Sequence, residues 1–309
     1  MKITSRFFLF LLATGLAACG EDPLAISKEA HREQVLDWQL QREASLTREN
    51  GWLSLVGLCW LERGANDFGR ADSSDCMVPY SKMPDTLGSF LVEDDGIRFI
   101  PREDYTVTHE GEEVTAIDMR SDHQENTTLL AHETLRFYVI ERFGEVGVRV
   151  RDLESPALQD FEGLDYFPVD IDWRKISRFE PYAEPRDIPI INILGMRDGM
   201  RSPGELVFEH GGEEYRLIAL ADEGDDRWFV MIADGTSGRT TYGAGRYIYV
   251  DPPVDGRTVL DLNTVYNPPC AFTALATCPL PPMRNRLDLD ITAGEKTYHS
   301  EDAWQADGA

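Results

Sequence analysis

Polar side chains with the chemistry of a site gather in two places late in the sequence. Asp234, Thr241, Tyr242 and Arg246 surround the Gly/Thr-rich run DGTSGRTTYGAG, and Asp261, Asn263, Tyr266 and Asn267 lead into a proline- and cysteine-rich segment. Asn285 and Arg286 leave that segment, and Glu295 and Lys296 follow it. Arg246 or Arg286 could clamp a carboxylate or phosphate through paired N–H groups, while Asp261 supplies a general base. Such a set serves a pocket for a small polar or anionic ligand. It also serves a hydrolase of glycans or esters in which Asp261 and Glu295 are the two carboxylates and an arginine is the electrophile. Carboxylates about 5 to 10 Å apart in an open cleft would mark the enzyme, and a closed cage of aromatics and arginine would mark the binder. A third reading gives these residues no ligand at all, because Asn and Asp beside prolines satisfy loop backbone and an Arg beside an Asp forms an ion pair.

Several chemistries have no support in the residue pattern. Gly-x-Ser-x-Gly, His-Glu-x-x-His and P-loop spacings are absent. The six histidines form no pair at ligand spacing and no Cys-x-x-Cys occurs, so neither a metal nor a cofactor is expected. The run Asp222 to Asp226 lacks the alternation and distal Glu of a calcium loop and reads as a solvated turn.

The elements that position the polar set are mostly strands. Asp261 to Arg286 holds five prolines and two cysteines and follows no period of 2 or 3.6, so it reads as a stiff ordered loop. Asp261 and Asn263, two apart, share one face if they stand on a strand. From Gly51 onward, short apolar runs separated by Gly, Asp, Asn and Pro recur, among them WLSLVGLCWL, GSFLVE and LRFYVIERFGEVGVRVRD. This spacing predicts antiparallel strands, with Arg142 to Glu145 as a hairpin turn. In Val146 to Arg151 the valines take the core face, and Arg149 and Arg151 take the other. A second series runs from WRKISRFEPY and IPIINILG to TVLDLN and NRLDLDITAG. Before the strands, Ser27 caps a helix reaching about Arg48, with Leu36, Leu40 and Ala44 as its packing face beside Val35 and Trp38. His31, Arg32, Gln39, Arg42 and Glu43 take its solvated face. The fold class is mainly β, an N-terminal helix followed by antiparallel sandwich or barrel units. Units of 51–152 and 153–300 follow a tether and helix at 20–50, with a tail at 301–309.

Residues 1–19 set the address. Lys2 and Arg6 precede the apolar run Phe7 to Ala18, which is too short to span ~30 Å of hydrocarbon and reads as a signal peptide. Its ending, Leu16-Ala17-Ala18-Cys19, resembles a bacterial lipobox, which would make Cys19 a lipidated first residue and the membrane a partner. Gly20 fits lipoproteins sent on to an outer membrane, facing the periplasm. The formal charge is −25, and removing Lys2 and Arg6 leaves 28 basic against 55 acidic residues. Nucleic acid is repelled at that charge. In an oxidising compartment Cys270 and Cys278, with seven residues between them, would join, while Cys59 and Cys76 either bridge or pack as buried thiols.

The runs GWLSLVGLCWLERGANDFG, DFEGLDYFPVD, SPGELVF, DGTSGRTTYGAGRYIYV, DLNTVYNPPCAFTALATCPLPPMRNRL and TAGEK resemble the DUF1684 family of bacterial proteins and cover most of residues 45–297. The resemblance supports the boundaries and carries no activity. Cys59 and Cys76 depart from the aromatic and aliphatic residues usual there, which favours packing over a bridge. NDFGRADSSDCMVP followed by GSFLVEDDGIRF has the cadence of a forkhead-associated sandwich, with Gly69 and Arg70 matching its phosphothreonine pocket, but the completing Ser-x-x-His is missing.

Overall fold

The computed structural model describes residues 22–298. The leader, Cys19 and the tail 301–309 lie outside the described residues. Helix α1 (Lys28–Leu46) is capped by Ser27, whose hydroxyl accepts from the Ala30 amide at 3.2 Å. The first unit follows with β1 (Leu55–Trp60), β2 (Gly64–Gly69), β3 (Cys76–Met77), β4 (Gly88–Glu93), β5 (Gly96–Pro101), β6 (Thr108–His109), β7 (Glu112–Glu113), β8 (Ile117–Met119), β9 (Leu130–His132), β10 (Leu135–Arg142) and β11 (Glu145–Asp152). The second unit holds the short helix α2 (Pro156–Gln159), then β12 (Arg174–Ile191), β13 (Arg197–His210), β14 (Glu213–Ala219), β15 (Trp228–Ile232), β16 (Arg246–Val250) and β17 (Arg257–Asp261). The chain is mainly β, as its spacing predicts.

In the first unit a six-stranded sheet, β1-β11-β10-β9-β6-β7, faces a five-stranded one, β3-β2-β4-β5-β8. Their shared core is aromatic: Phe68, Phe90, Phe99 and Phe137 are fully buried, with ring centroids 4.8 to 6.4 Å apart. Edge-on contacts of this kind add to the area each ring removes from water. Residues Arg142 to Glu145 form the expected hairpin, with Phe143 at φ 54° and Gly144 at φ 81°, the left-handed pair that a tight two-residue turn requires. Cys59 and Cys76 are bridged, correcting the reading of packed free thiols: the sheets bring their Cα atoms to 5.1 Å, so the bond staples β1 to β3 across the sandwich. Arg70, the candidate phosphothreonine contact, instead pairs with Asp85 at 2.7 Å.

The second unit is a four-stranded antiparallel sheet, β14-β13-β12-β17, with the hairpin β15-β16 packed against it over Leu206, Leu217, Val230, Ile248 and Leu260. Two expected strands, WRKISRFEPY and IPIINILG, prove to be one long strand, β12, broken in register between Pro181 and Arg186 where prolines interrupt the ladder. NRLDLDITAG is not a strand. It runs as an irregular segment along the hairpin, the Leu287 amide donating to the Ala233 carbonyl at 2.8 Å and the Gly235 amide to that of Leu289 at 2.8 Å.

Helix α1 docks on the face opposite to the expected one. Leu36 and Leu40 are 39% and 68% exposed, whereas His31 is buried and Arg42 nearly so. The reason is a set of polar partners on the second unit that the apolar pattern does not reveal. His31 Nε2 lies 2.6 Å from Asp261, Arg42 Nε donates to Glu295 at 2.8 Å, and Glu43 accepts from the Leu164 amide at 3.2 Å. Val35 and Leu46 are the apolar side chains buried with them.

The end of β11 is fixed by Asp152, fully buried, which takes the Tyr80 hydroxyl at 2.6 Å and the Lys82 ammonium at 2.8 Å. Burial pushes its carboxyl up, but hydrogen bonds from Lys82, Thr134 and Tyr80 outweigh that and hold it at about 2. A depressed carboxylate stabilises the fold above its unfolded value and loses that contribution as pH falls through the folded one. We expect Asp152→Asn to lower unfolding free energy at pH 7 by about 2 kcal/mol. Urea titrations should show this deficit shrinking between roughly pH 4 and pH 2; a deficit constant over that range would contradict it.

Candidate functional site

The polar cluster that the sequence singles out is brought together, but inside the protein. Arg246 is 1% exposed and both of its terminal guanidinium nitrogens are engaged. Nη1 donates to the carbonyls of Ala293 at 2.6 Å and Glu295 at 3.1 Å, and Nη2 donates to Asp234 at 3.0 Å and to the Ile291 carbonyl at 3.0 Å. Asp234 also takes the Thr236 hydroxyl at 2.5 Å, which meets that of Thr241 at 2.8 Å. Burial pushes the Arg246 guanidinium down, and Asp234 opposes the shift. This is a buried ion pair that locks the irregular segment onto β16, with no face toward solvent for a ligand.

Most residues around the cysteine loop are committed too, although the buried Asn267 Oδ1 has no partner. The Asn285 side chain imitates a peptide group, accepting from the Ile218 amide at 2.7 Å and donating to the carbonyls of Ile218 and Met231 at 3.0 and 2.8 Å. β17 ends at Asp261, so Asp261 and Asn263 do not share a strand face. Asp261 instead caps the turn that follows, accepting from the Asn263 amide at 3.1 Å and its side chain at 2.8 Å. Glu295 is fully buried and accepts from Arg42 and, at 2.7 Å, from the Asn267 amide. Burial pushes its carboxyl up, opposed by Arg42. The Asn267 side chain donates to the Lys296 carbonyl at 2.7 Å, and Tyr242 donates to the Cys270 carbonyl at 3.1 Å. Arg286 is exposed, and the Lys296 ammonium lies 5.3 Å from the Phe167 ring. Cys270 and Cys278 are joined, with Cα atoms 6.1 Å apart.

Of the expected site residues, Tyr266 faces an open cavity. That cavity is a cleft of about 1380 Å³ between the two units, edged by α1 and walled on one side by the cysteine loop at Pro269 and Ala276 to Pro279. Tyr247, Tyr249, Tyr266 and Phe229 make an aromatic wall, with Tyr249 and Tyr266 stacked at 16° and Phe229 and Tyr247 edge to face at 4.9 Å. Arg42 lies 4.7 Å from the centroid of Tyr266. Burial pushes the Tyr266 and Tyr249 phenols up, so both remain neutral hydroxyls.

The first unit contributes the opposite wall with Trp52, Arg142 and Arg149. Arg149 and Arg151 stand on the outer face of β11 as the alternation requires, yet they are only 4% and 6% exposed. Trp52, in the turn after α1, covers both, its ring 5.0 Å from one guanidinium and 5.7 Å from the other. Arg151 Nη1 holds that turn in place through the Gly51 carbonyl and, at 3.0 Å, the Ser54 hydroxyl. Arg149 lacks that anchor: its buried Nε, like that of Arg151, has no hydrogen-bond partner, Tyr138 is its polar neighbour, and Asp122, the carboxylate that feels its charge, is ion-paired with Arg142 instead. Burial pushes its guanidinium down, as do the neighbouring Arg142 and Arg151. The sequence shows the Arg-x-Arg alternation, but not the aromatic lid that turns an outer face into a cleft floor. Among the described residues no three metal-binding side chains converge, and no helix is long and apolar enough to cross a membrane.

Fold and cleft together define a mainly antiparallel β protein of two units with an arginine- and aromatic-lined groove between them. Residues 159–296, most of the second unit, match the model of the family described as "Protein of unknown function (DUF1684)". Among solved structures it is similar to the solution NMR structure of an uncharacterized protein from gene locus rrnAC0354 of Haloarcula marismortui, at 34% identity. The match covers 45% of this chain and 78% of that one, with a TM-score of 0.38. No curated protein matches.

Asp234 tests the buried network. Removing one partner of a buried ion pair leaves the other charge uncompensated, so Asp234→Ala should cost about 3 to 5 kcal/mol in chemical denaturation. Asp234→Leu combined with Arg246→Met should recover most of that loss. A neutral single variant would show that the pair is dispensable.

Proposed function

We propose that this chain is a lipid-anchored protein of the bacterial cell envelope that binds a small anionic ligand in the cleft between its units, the anionic group resting against Arg149. The observation that carries this reading is Arg149 itself, a buried cation lining the cleft without a carboxylate partner. Leaving a charge buried and unpaired costs stability, and a bound carboxylate or phosphate would supply the missing partner through paired N–H groups. Arg48 and Arg201 line the same cleft and, among the described residues, pair with no carboxylate, so they add to its positive side, whereas Arg142 is neutralised by Asp122. Glu295 is buried and Asp261 is turned onto His31, so neither offers a carboxylate to a substrate there, and binding is preferred to hydrolysis.

The test is thermal. Inorganic phosphate and glucuronate at about a hundred times their Kd should stabilise the wild type by about 2.7 kcal/mol. Arg149→Met should abolish that shift while leaving the free protein as stable as wild type or more so, since an uncompensated charge is gone. Ligand-induced shifts that persist in the variant would refute the assignment.

The envelope part of the proposal rests on the leader and on two disulfides, which persist in oxidising compartments. Labelling with a clickable palmitate analogue should tag the wild-type protein in cells and leave Cys19→Ser untagged. An untagged wild type would remove the anchor.

A further inference from the structure

The shape and lining of the cleft say more about its ligand than its sign of charge. At about 1380 Å³ it exceeds the roughly 300 to 1,000 Å³ usual for one small molecule, so a single anionic ring would leave much of it empty. Its second-unit side carries two different features. Tyr249, 45% exposed, continues the stacked face of Tyr266 toward solvent. Beside it, Asp187, Asp198 and Asp222 line the groove together with Arg201 and Arg227; among the described residues none of the three carboxylates is in an ion pair, and Arg227 pairs with Asp251. Aromatic faces accept the apolar C–H face of a pyranose ring, and unpaired carboxylates accept hydrogen bonds from hydroxyls. Arg149, on the facing wall, accepts one acid group.

Resting on the anion site proposed above, we infer that the ligand is a sparsely charged acidic oligosaccharide, several rings long, with one carboxylate at Arg149 and the neighbouring rings along Tyr249 and Tyr266. An acidic peptide of comparable length matches this lining poorly. Its charge recurs at every residue, and the charges beyond those that Arg149 and Arg201 can pair would face Asp187, Asp198 and Asp222. A polyol with an occasional acid group meets those carboxylates with hydroxyl donors instead. Hydroxyls also suit the neutral phenols of the wall, which both donate and accept.

Calorimetric titration of the intact soluble body distinguishes these cases. The probes are hyaluronan tetrasaccharide and sialyllactose as sparsely charged glycans, glucuronate as the single ring, chitotetraose as the neutral chain and tetraglutamate as the acidic peptide. At least one of the two acidic glycans is expected to bind tenfold or more tighter than glucuronate and than either other chain. Tyr249→Ala, at a half-exposed position that the core does not need, should erase that gain and leave glucuronate unchanged. Arg149→Met should abolish binding of all acidic probes. If glucuronate binds through Arg149 but neither glycan gains over it, or if tetraglutamate binds as tightly, the oligosaccharide assignment is overturned and the anion site stands. If no acidic probe binds, or if Arg149→Met binds them all as well as wild type, both fall.

Discussion

One carboxylate, Glu295, ties three parts of the molecule together. Its two oxygens take Arg42 from the N-terminal helix and the Asn267 amide at the mouth of the cysteine loop, and its own carbonyl receives Arg246. A fully buried acid is costly unless paired and hydrogen-bonded, and here each donor comes from a different element. Satisfying that one group fixes the helix, the loop and the irregular segment relative to one another. The cleft inherits its shape from this arrangement, since the helix forms its edge, the loop one wall, and Arg42 leans on Tyr266 within it.

Two kinds of buried arginine emerge from the same fold. Arg246 meets a carboxylate and three carbonyls and is sealed into the second unit. Arg149 lies under the Trp52 indole and beside Tyr138 at the cleft, with no carboxylate in an ion pair with it among the described residues. The first is a fastening, because every donor it uses has an acceptor from the protein. The second keeps donor capacity in reserve at a surface where water and small molecules can enter. Arginine retains its charge under such burial because its ordinary value is so high, which makes it suited to wait in a half-dry groove for an acid.

The strand content was legible because alternation and turn residues act locally. The Arg142 to Glu145 hairpin is the plainest case, for its glycine and its register follow from neighbouring residues alone. The cysteine loop was legible for the same reason, its prolines forbidding regular structure. The candidate site was read at the right density of polar residues but on the wrong side of the surface: Asp234, Asn285 and Glu295 find backbone partners distant in sequence, and no local pattern distinguishes an engaged carboxylate from a waiting one. Likewise Leu36 and Leu40 set an apolar stripe that points outward, because the docking of α1 is decided by His31, Arg42 and Glu43 meeting partners in the second unit. Arg149 was placed on its proper face of β11, yet its burial depends on Trp52 folding back over it, a contact between elements.

That mode of helix docking has a thermodynamic consequence. Heat capacity rises when apolar surface is exposed and falls when polar surface is. Helix α1 covers chiefly charged and hydrogen-bonding groups, with Val35 and Leu46 as its buried apolar members. Its detachment would therefore change heat capacity little, while uncovering Glu295 and releasing amides that exchange hydrogen with water.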